Sequence, residues 1–290
     1  MSRSTDRALL AGVGGAAAAS GAIVMLMAVF LVVESLPVLS AVGVTRLLSD
    51  GAWFPVAGAI DGRFGLGPMI AGTLAVGAGA LVVAAPLGLG SGLLCAFYAP
   101  APIGVIYRRV LELMSGIPSV VYGWWGLVVL APMIRQVQPP GQSLLTAMLI
   151  LALMILPTIA LLAEMALRQV PRSHVAGAAA LGLSRWATIR GVVLPAARGG
   201  LVAALLLAFA RAVGETMAVV MVAGNVVQVP DTVFAPVRTL TANIALELGY
   251  AMDTHRAALF ASGLCLMGIA GVLVAVAARL PGRRGAGGRA

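Results

Sequence analysis

Two charged residues stand four positions apart in an otherwise apolar run, Arg211 and Glu215 in ARAVGETMA, residues 210–218. In a continuous helix this spacing puts both on one face. A lone charge at the centre of a membrane helix costs at least about 2.5–3.5 kcal/mol on insertion scales. A pair offsets its own charge, although both members still lose water. Small neighbours, Ala208, Ala212, Gly214 and Ala218, permit close helix approach or a pathway. Two readings stay open: an ion pair that orients the helix, or an anion site. In the second, the planar Arg211 fork matches the oxygens of an oxyanion. Glu215 then requires an anion that brings its own proton, as hydrogen phosphate does and sulfate at neutral pH does not. Thr216, the next residue, belongs to the same candidate pathway.

A second candidate stretch is GIPSVVYG, residues 116–123. Gly116 and Pro118 can free backbone groups there, and Ser119 and Tyr122 can donate to a passing anion. The alternative is a kinked, packed helix. Other residues are expected to be structural. Glu112 and Glu164 should pair with Arg108, Arg109 or Arg168, and His174 and His255 should be surface residues. Trp124 and Trp125 should pack, and Cys95 and Cys265 should act as small buried hydrophobes. With no His/Cys cluster, the sequence predicts no metal site.

The elements that must hold these residues follow from composition. The 290 residues are 61% hydrophobic and 10% charged, against roughly 45–50% and 25% in soluble domains. Lipid is therefore the main solvent, and the spanning elements must be helices. Six apolar runs are long enough: Ala8–Val33, Met69–Phe97, Val110–Ile134, Ser143–Leu167, Gly199–Val227 and Ala257–Ala278. The first is too long for a signal-peptide core and reads as a retained helix. With the N-terminus inside, thirteen arginines fall in inner segments and five in outer ones. That bias predicts both termini in the cytoplasm. It also accounts for the net charge of +9 better than nucleic-acid binding does. The division expected is 1–68, an N-terminal helix with an extracytoplasmic segment; 69–280, a transmembrane core; and 281–290, a disordered cytoplasmic tail. Residues 237–248 look helical within the outer segment before the last span.

The longest inner loop, Arg168 to Arg198, is too polar for lipid and too patterned for a linker. Pro171 and Ser173 can start a helix, Gly182 can break it, and Ser184 can cap a second one that ends at Pro195. On pattern alone, this hairpin could rest on anionic lipid or dock on a partner.

The spacing from Gly182 across nine residues to Val192-Val193-Leu194-Pro195 resembles the EAA loop of ATP-binding-cassette import permeases. Ala176 stands where that family has Glu, Gly177 and Ala178 where it has two alanines, and Val192 where it has Ile. Gly182, Leu194 and Pro195 match. GIPSVVYGWWGLVVL (116–130), MILPTIA (154–160) and ARAVGETMAVVMVAGN (210–225) are similar to the phosphate-specific transport permeases, of the PstC type. The resemblance implies a type I import-permease fold and a loop, residues 176–195, that fits a groove on an ATPase. It implies that the chain forms half of an inorganic phosphate pathway in the bacterial inner membrane. The implied partners are a PstA-like second permease, a PstB-like ATPase pair and a PstS-like phosphate-binding protein outside. The chain lacks a P-loop and any lysine, so ATP and Mg are expected on the partner ATPase, and no cofactor on this chain. Rival readings are a permease for sulfate or molybdate, a secondary transporter and a membrane enzyme. The Glu215 carboxylate opposes the first; the second usually shows inverted repeats; the third needs a catalytic cluster.

Overall fold

The structure, a computed structural model, describes residues 3–55 and 62–279. The expected tail, 281–290, lies outside them. In chain order the elements are α1 (Arg3–Ala41), α2 (Val44–Ser49), a hairpin of β1 (Trp53–Phe54) and β2 (Arg63–Phe64), α3 (Gly67–Leu93), α4 (Ala101–Gly116), α5 (Ser119–Trp125) and α6 (Ala131–Val137). There follow α7 (Leu144–Arg168), α8 (Arg172–Ala180), α9 (Arg185–Thr188), α10 (Leu194–Val213), α11 (Met217–Val222), α12 (Leu240–Glu247) and α13 (Asp253–Arg279).

Among the described residues six helical stretches can cross a membrane: Leu9–Ala41, Gly67–Tyr98, Ser119–Val137, Leu144–Arg168, Arg185–Val213 and Asp253–Arg279. The number agrees with the sequence; three boundaries do not. The first helix runs on through Pro37 to Ala41. The run Val110–Ile134 is not one helix. Pro118 holds Ile117 extended (φ −68, ψ 128), so α4 stops at Gly116 and the span starts at Ser119. α4 itself is amphipathic: Leu111 is buried, whereas Ile103, Ile106 and Leu113 are exposed. The third difference concerns the Arg211 segment and is described with the site.

Three π-turns occur in one sequence setting. Leu94–Tyr98, Gly126–Leu130 and Ile189–Val193 each precede a proline, at 100, 132 and 195. In each, the residue just before the proline donates to a carbonyl five positions back: Ala99 to Leu94, Ala131 to Gly126, Leu194 to Ile189. At Pro132 and Pro195, where helix continues, the widened turn relieves the clash between the proline ring and the preceding turn's carbonyl; at Leu94–Tyr98 the helix instead ends, since Ala99 is extended (φ −67, ψ 130). Helix therefore continues through Pro195, where the sequence alone predicts an end.

The centre of the bundle is α7 against α3. Ile150, Leu151, Met154, Ile155 and Ile159 are buried there with Val76, Ala80 and Ala84. Ala208 and Ala212 of α10 and Ala218, Val219 and Val222 of α11 complete the cluster. Close approach of α3 to α7 depends on glycine. A Cβ on Gly88 would sit 2.7 Å from Ile159 Cβ, and one on Gly92 would sit 2.9 Å from Ala160 O and Ala163 Cβ. Gly90, between them, faces open space. Gly88→Val should therefore destabilise by about 1–3 kcal/mol through overpacking, lowering the melting temperature of the purified protein, while Gly90→Ala should leave it unchanged. Equal melting of the two variants would show that the contact is not close-packed.

The two ends differ. The turn α8–α9 marks the loop end; the β-hairpin, α2 and α12 mark the hairpin end. There Arg63 pairs with Asp50 across the hairpin base. The guanidinium holds the Asp50 carboxyl below its ordinary range, helped by the Ala52 N–H.

Candidate functional site

α10 does not run through the charged pair. It ends at Val213, with Gly214 as its cap, and a new helix starts at Met217. The expected continuous span Gly199–Val227 is thus broken at Gly214–Thr216, and Arg211 and Glu215 do not share a helix face. Glycine's low helix propensity weakens this point, and the Glu215 side chain stabilises the break. Its Oε1 accepts from the Ala218 N–H at 3.2 Å, satisfying a free donor of the first turn of α11. The backbone carbonyl of Glu215 accepts from the Thr241 hydroxyl at 2.8 Å, which ties the break to α12.

Among the described residues Arg211 and Glu215 form no ion pair within 4.0 Å, and Arg211 is in no other ion pair. Arg211 is exposed on this chain, and Glu215 and Thr216 are half-buried. The mutual neutralisation expected from sequence is therefore not made among the described residues. Glu215 Oε2 has no protein partner among the described residues.

The second candidate stretch lies alongside. α11 packs on α5 through glycine: a Cβ on Gly123 would lie 2.8 Å from Ala218 Cα, and one on Gly126 3.0 Å from Val222 Cγ1. Ser119 is half-buried. Tyr122 is half-buried too. Its hydroxyl donates to Met114 O at 2.9 Å, closing α5 onto α4, so its proton is not free for an anion. Trp124 is exposed on this chain, whereas Trp125, also part-exposed, borders an apolar cavity with Val83 and Leu87 of α3 and Leu156 of α7.

The loop between α7 and α10 folds as a helix–turn–helix. α8 ends at Ala180 with Leu181 as its cap, and Gly182 turns the chain at φ +75. A side chain there strains the backbone, which favours glycine. The Ser184 hydroxyl caps α9 by accepting from Ala187 N at 3.3 Å. Ser173 caps nothing; it lies inside α8, whose cap is Pro171. Ala176, Gly177 and Gly182 are exposed, and Ala178 is buried. Val192 and Leu194 are half-buried, and Pro195 is exposed within the continuous helix. At the turn Leu181, Leu183 and Trp186 are exposed, an apolar tip that this chain does not cover.

Two clusters of charge brace the ends. At the loop end Glu164 meets Arg168 at 2.8 Å and Arg108 at 3.6 Å, and Glu112 meets Arg108 and Arg109, as the sequence predicts. His174 is exposed, also as expected. At the hairpin end the buried Glu247 binds Arg238, His255 Nε2 at 2.8 Å and Trp53 Nε1 at 2.8 Å. His255 is therefore a buried member of a network, not a surface residue. These four residues come from four separate segments, so no local spacing marks them.

Residues 88–284 match the family described as "Binding-protein-dependent transport system inner membrane component". The chain is 37% identical over 262 residues to the probable ABC transporter permease protein YqgH of Bacillus subtilis, covering 88% of this chain and 84% of the relative. It is 35% identical over 273 residues to the phosphate transport system permease protein PstC of Mesorhizobium japonicum, covering 87% and 82%. Among solved structures it resembles a chain of the MetNI methionine ABC transporter in inward-facing conformations. The TM-score is 0.58 at 21% identity, over 72% of this chain and 90% of that one, a likeness of fold.

Proposed function

The chain belongs to the binding-protein-dependent transport system inner membrane components, and from that premise we propose that its cargo is inorganic phosphate. Membership makes it a multi-pass inner-membrane permease subunit of an ABC importer. The observation that carries the substrate reading is Arg211, in no ion pair among the described residues, next to a helix break whose Glu215 has one carboxylate oxygen without a partner among them. Arg211 donates to two oxygens of the anion, and Glu215 Oε2 accepts the proton of hydrogen phosphate. Thr216, next in the chain, and Ser119 of α5, the helix packed on α11, supply hydroxyls. The naming of PstC relatives supports the same substrate.

In this reading the exposed Leu181, Leu183 and Trp186 seat in a PstB-like ATPase, one of a pair that holds ATP and Mg. Ala176 to Ala178, Gly182 and Val192 to Pro195 shape that docking loop. A PstA-like permease faces Arg211 and supplies the other half of the pathway. A PstS-like protein delivers phosphate at the hairpin end, and both termini are cytoplasmic. ATP binding pulls the docking loop, and the continuous helix Arg185–Val213 carries the movement to Arg211.

The test is uptake by proteoliposomes containing all the subunits. Labelled phosphate should enter in an ATP-dependent way, and excess sulfate should not compete. Glu215→Gln should lower phosphate uptake about tenfold or more, the worth of one hydrogen bond to a charged group. Sulfate uptake equal to phosphate uptake in the wild type would sink the reading.

A further inference from the structure

The docking loop reaches the candidate pathway by a second physical connection besides α10. The guanidinium of Arg185, first residue of α9, lies 4.9 Å from the ring centroid of Tyr98. Tyr98 ends the π-turn Leu94–Tyr98 below α3. A carbonyl of the same π-turn, Cys95 O, accepts from Arg168 Nη2 at 2.8 Å. Arg168 Nε in turn holds Glu164 Oε1 at 2.8 Å, and Arg108 of α4 reaches the same oxygen at 3.6 Å. α4 then closes on the pathway, because its Met114 carbonyl receives the Tyr122 hydroxyl.

We propose that Glu164 is a positioning residue for transport, joining movement of the docking loop to the Ser119–Tyr122 side of the pathway through Arg168 and Arg108. The inference rests on the reading of residues 172–195 as the ATPase-docking loop. Three features support it. The Glu164 side chain is 4% exposed, and a buried carboxylate with two guanidiniums is held far more firmly than a surface pair. The π-turn is held from two sides, by Arg168 on the Cys95 carbonyl and by Arg185 over the Tyr98 ring, so a shift of the docking loop is felt there. The pathway has two walls, α10–α11 and α4–α5, and α10 alone moves only the first. A change of access needs both walls to move together. Arg211 rides on the direct connection and Tyr122 on the one through Glu164.

The experiment compares ATP hydrolysis with anion uptake in proteoliposomes of the complete transporter. Glu164→Gln keeps the shape and removes the charge. Tyr98→Leu removes the ring from an exposed position, and Tyr98→Phe restores it. Glu164→Gln and Tyr98→Leu should each lower anion transported per ATP about tenfold, a usual size for coupling between sites, with hydrolysis within about twofold of wild type. Tyr98→Phe should behave as wild type, and the double variant should be no worse than either single one. A wild-type ratio in Glu164→Gln would overturn the proposal. So would uptake and hydrolysis falling in step, since the contacts would then serve only assembly. If the wild type carries an anion other than phosphate, the ratio is read with that anion, so the substrate reading fails separately from this one.

Discussion

Arg211→Gln should reduce the initial rate of phosphate uptake about 100-fold, because two charge-assisted hydrogen bonds of about 1.5–3 kcal/mol each are lost or weakened. The expectation follows from what the side chain does not do. It sits in the last turn of α10, exposed on this chain, and no carboxylate among the described residues claims it within 4.0 Å. A structural arginine within a membrane bundle would be paired. Arg211→Lys keeps the charge without the planar fork and should fall between the two, about tenfold below wild type. Arg135→Gln, an exposed arginine of α6, serves as the control and should transport normally. The amount of assembled transporter should be the same in all four. If Arg211→Gln transports at the wild-type rate, or if its defect is wholly a loss of assembled complex, the residue orients helices and does not meet the anion.

The sequence made the bundle readable and hid its breaks for a physical reason. An apolar run of sufficient length must be a helix in lipid, so six spans follow from composition alone. Apolarity says little about where a helix stops inside the membrane. Gly214 is one glycine among 36. Its effect depends on Glu215 turning back to cap Ala218 and on Thr241 arriving from α12. Pro118 did give a local signal, since it restricts the residue before it, and the split of α4 from α5 could have been read there. Pro195 gave the same signal with the opposite outcome, because a π-turn absorbed it. The loop end was legible because its pairs are local: Glu164 with Arg168 and Arg108 with Glu112 are both four residues apart. The hairpin end was not, because Trp53 and Glu247 are 194 residues apart in sequence.

That same network carries the largest expected effect on stability. Glu247→Ala should destabilise the protein by about 3–5 kcal/mol, the usual cost of removing one partner from a buried ion pair. The broken hydrogen bonds matter less here than the groups that stay behind. Arg238, still held by Asn225 O at 2.9 Å and Asn243 Oδ1 at 3.1 Å, would remain mostly buried without its carboxylate. Trp53 Nε1 and His255 Nε2 would lose their acceptor in the same step. Differential scanning of the purified protein should show a drop of about 10 °C, at the few degrees per kcal/mol typical of chains this size. Two further variants separate charge from shape. Glu247→Gln still accepts from Trp53 and should lose less. The double variant Glu247→Leu with Arg238→Met removes both charges together and should recover much of the loss, since a buried pair is often no better than apolar packing of similar volume. A Glu247→Ala protein melting within about 2 °C of wild type, less than 1 kcal/mol on that scale, would mean that water reaches the cluster and its hydrogen bonds add nothing. A double variant no better than Glu247→Ala would instead show that the hydrogen bonds to Trp53 and His255, not the buried guanidinium, set the cost. Among the described residues the hairpin, α12 and the first turn of α13 meet through these side chains and the apolar packing beside them, so their loss should loosen the hairpin end before the α3–α7 core.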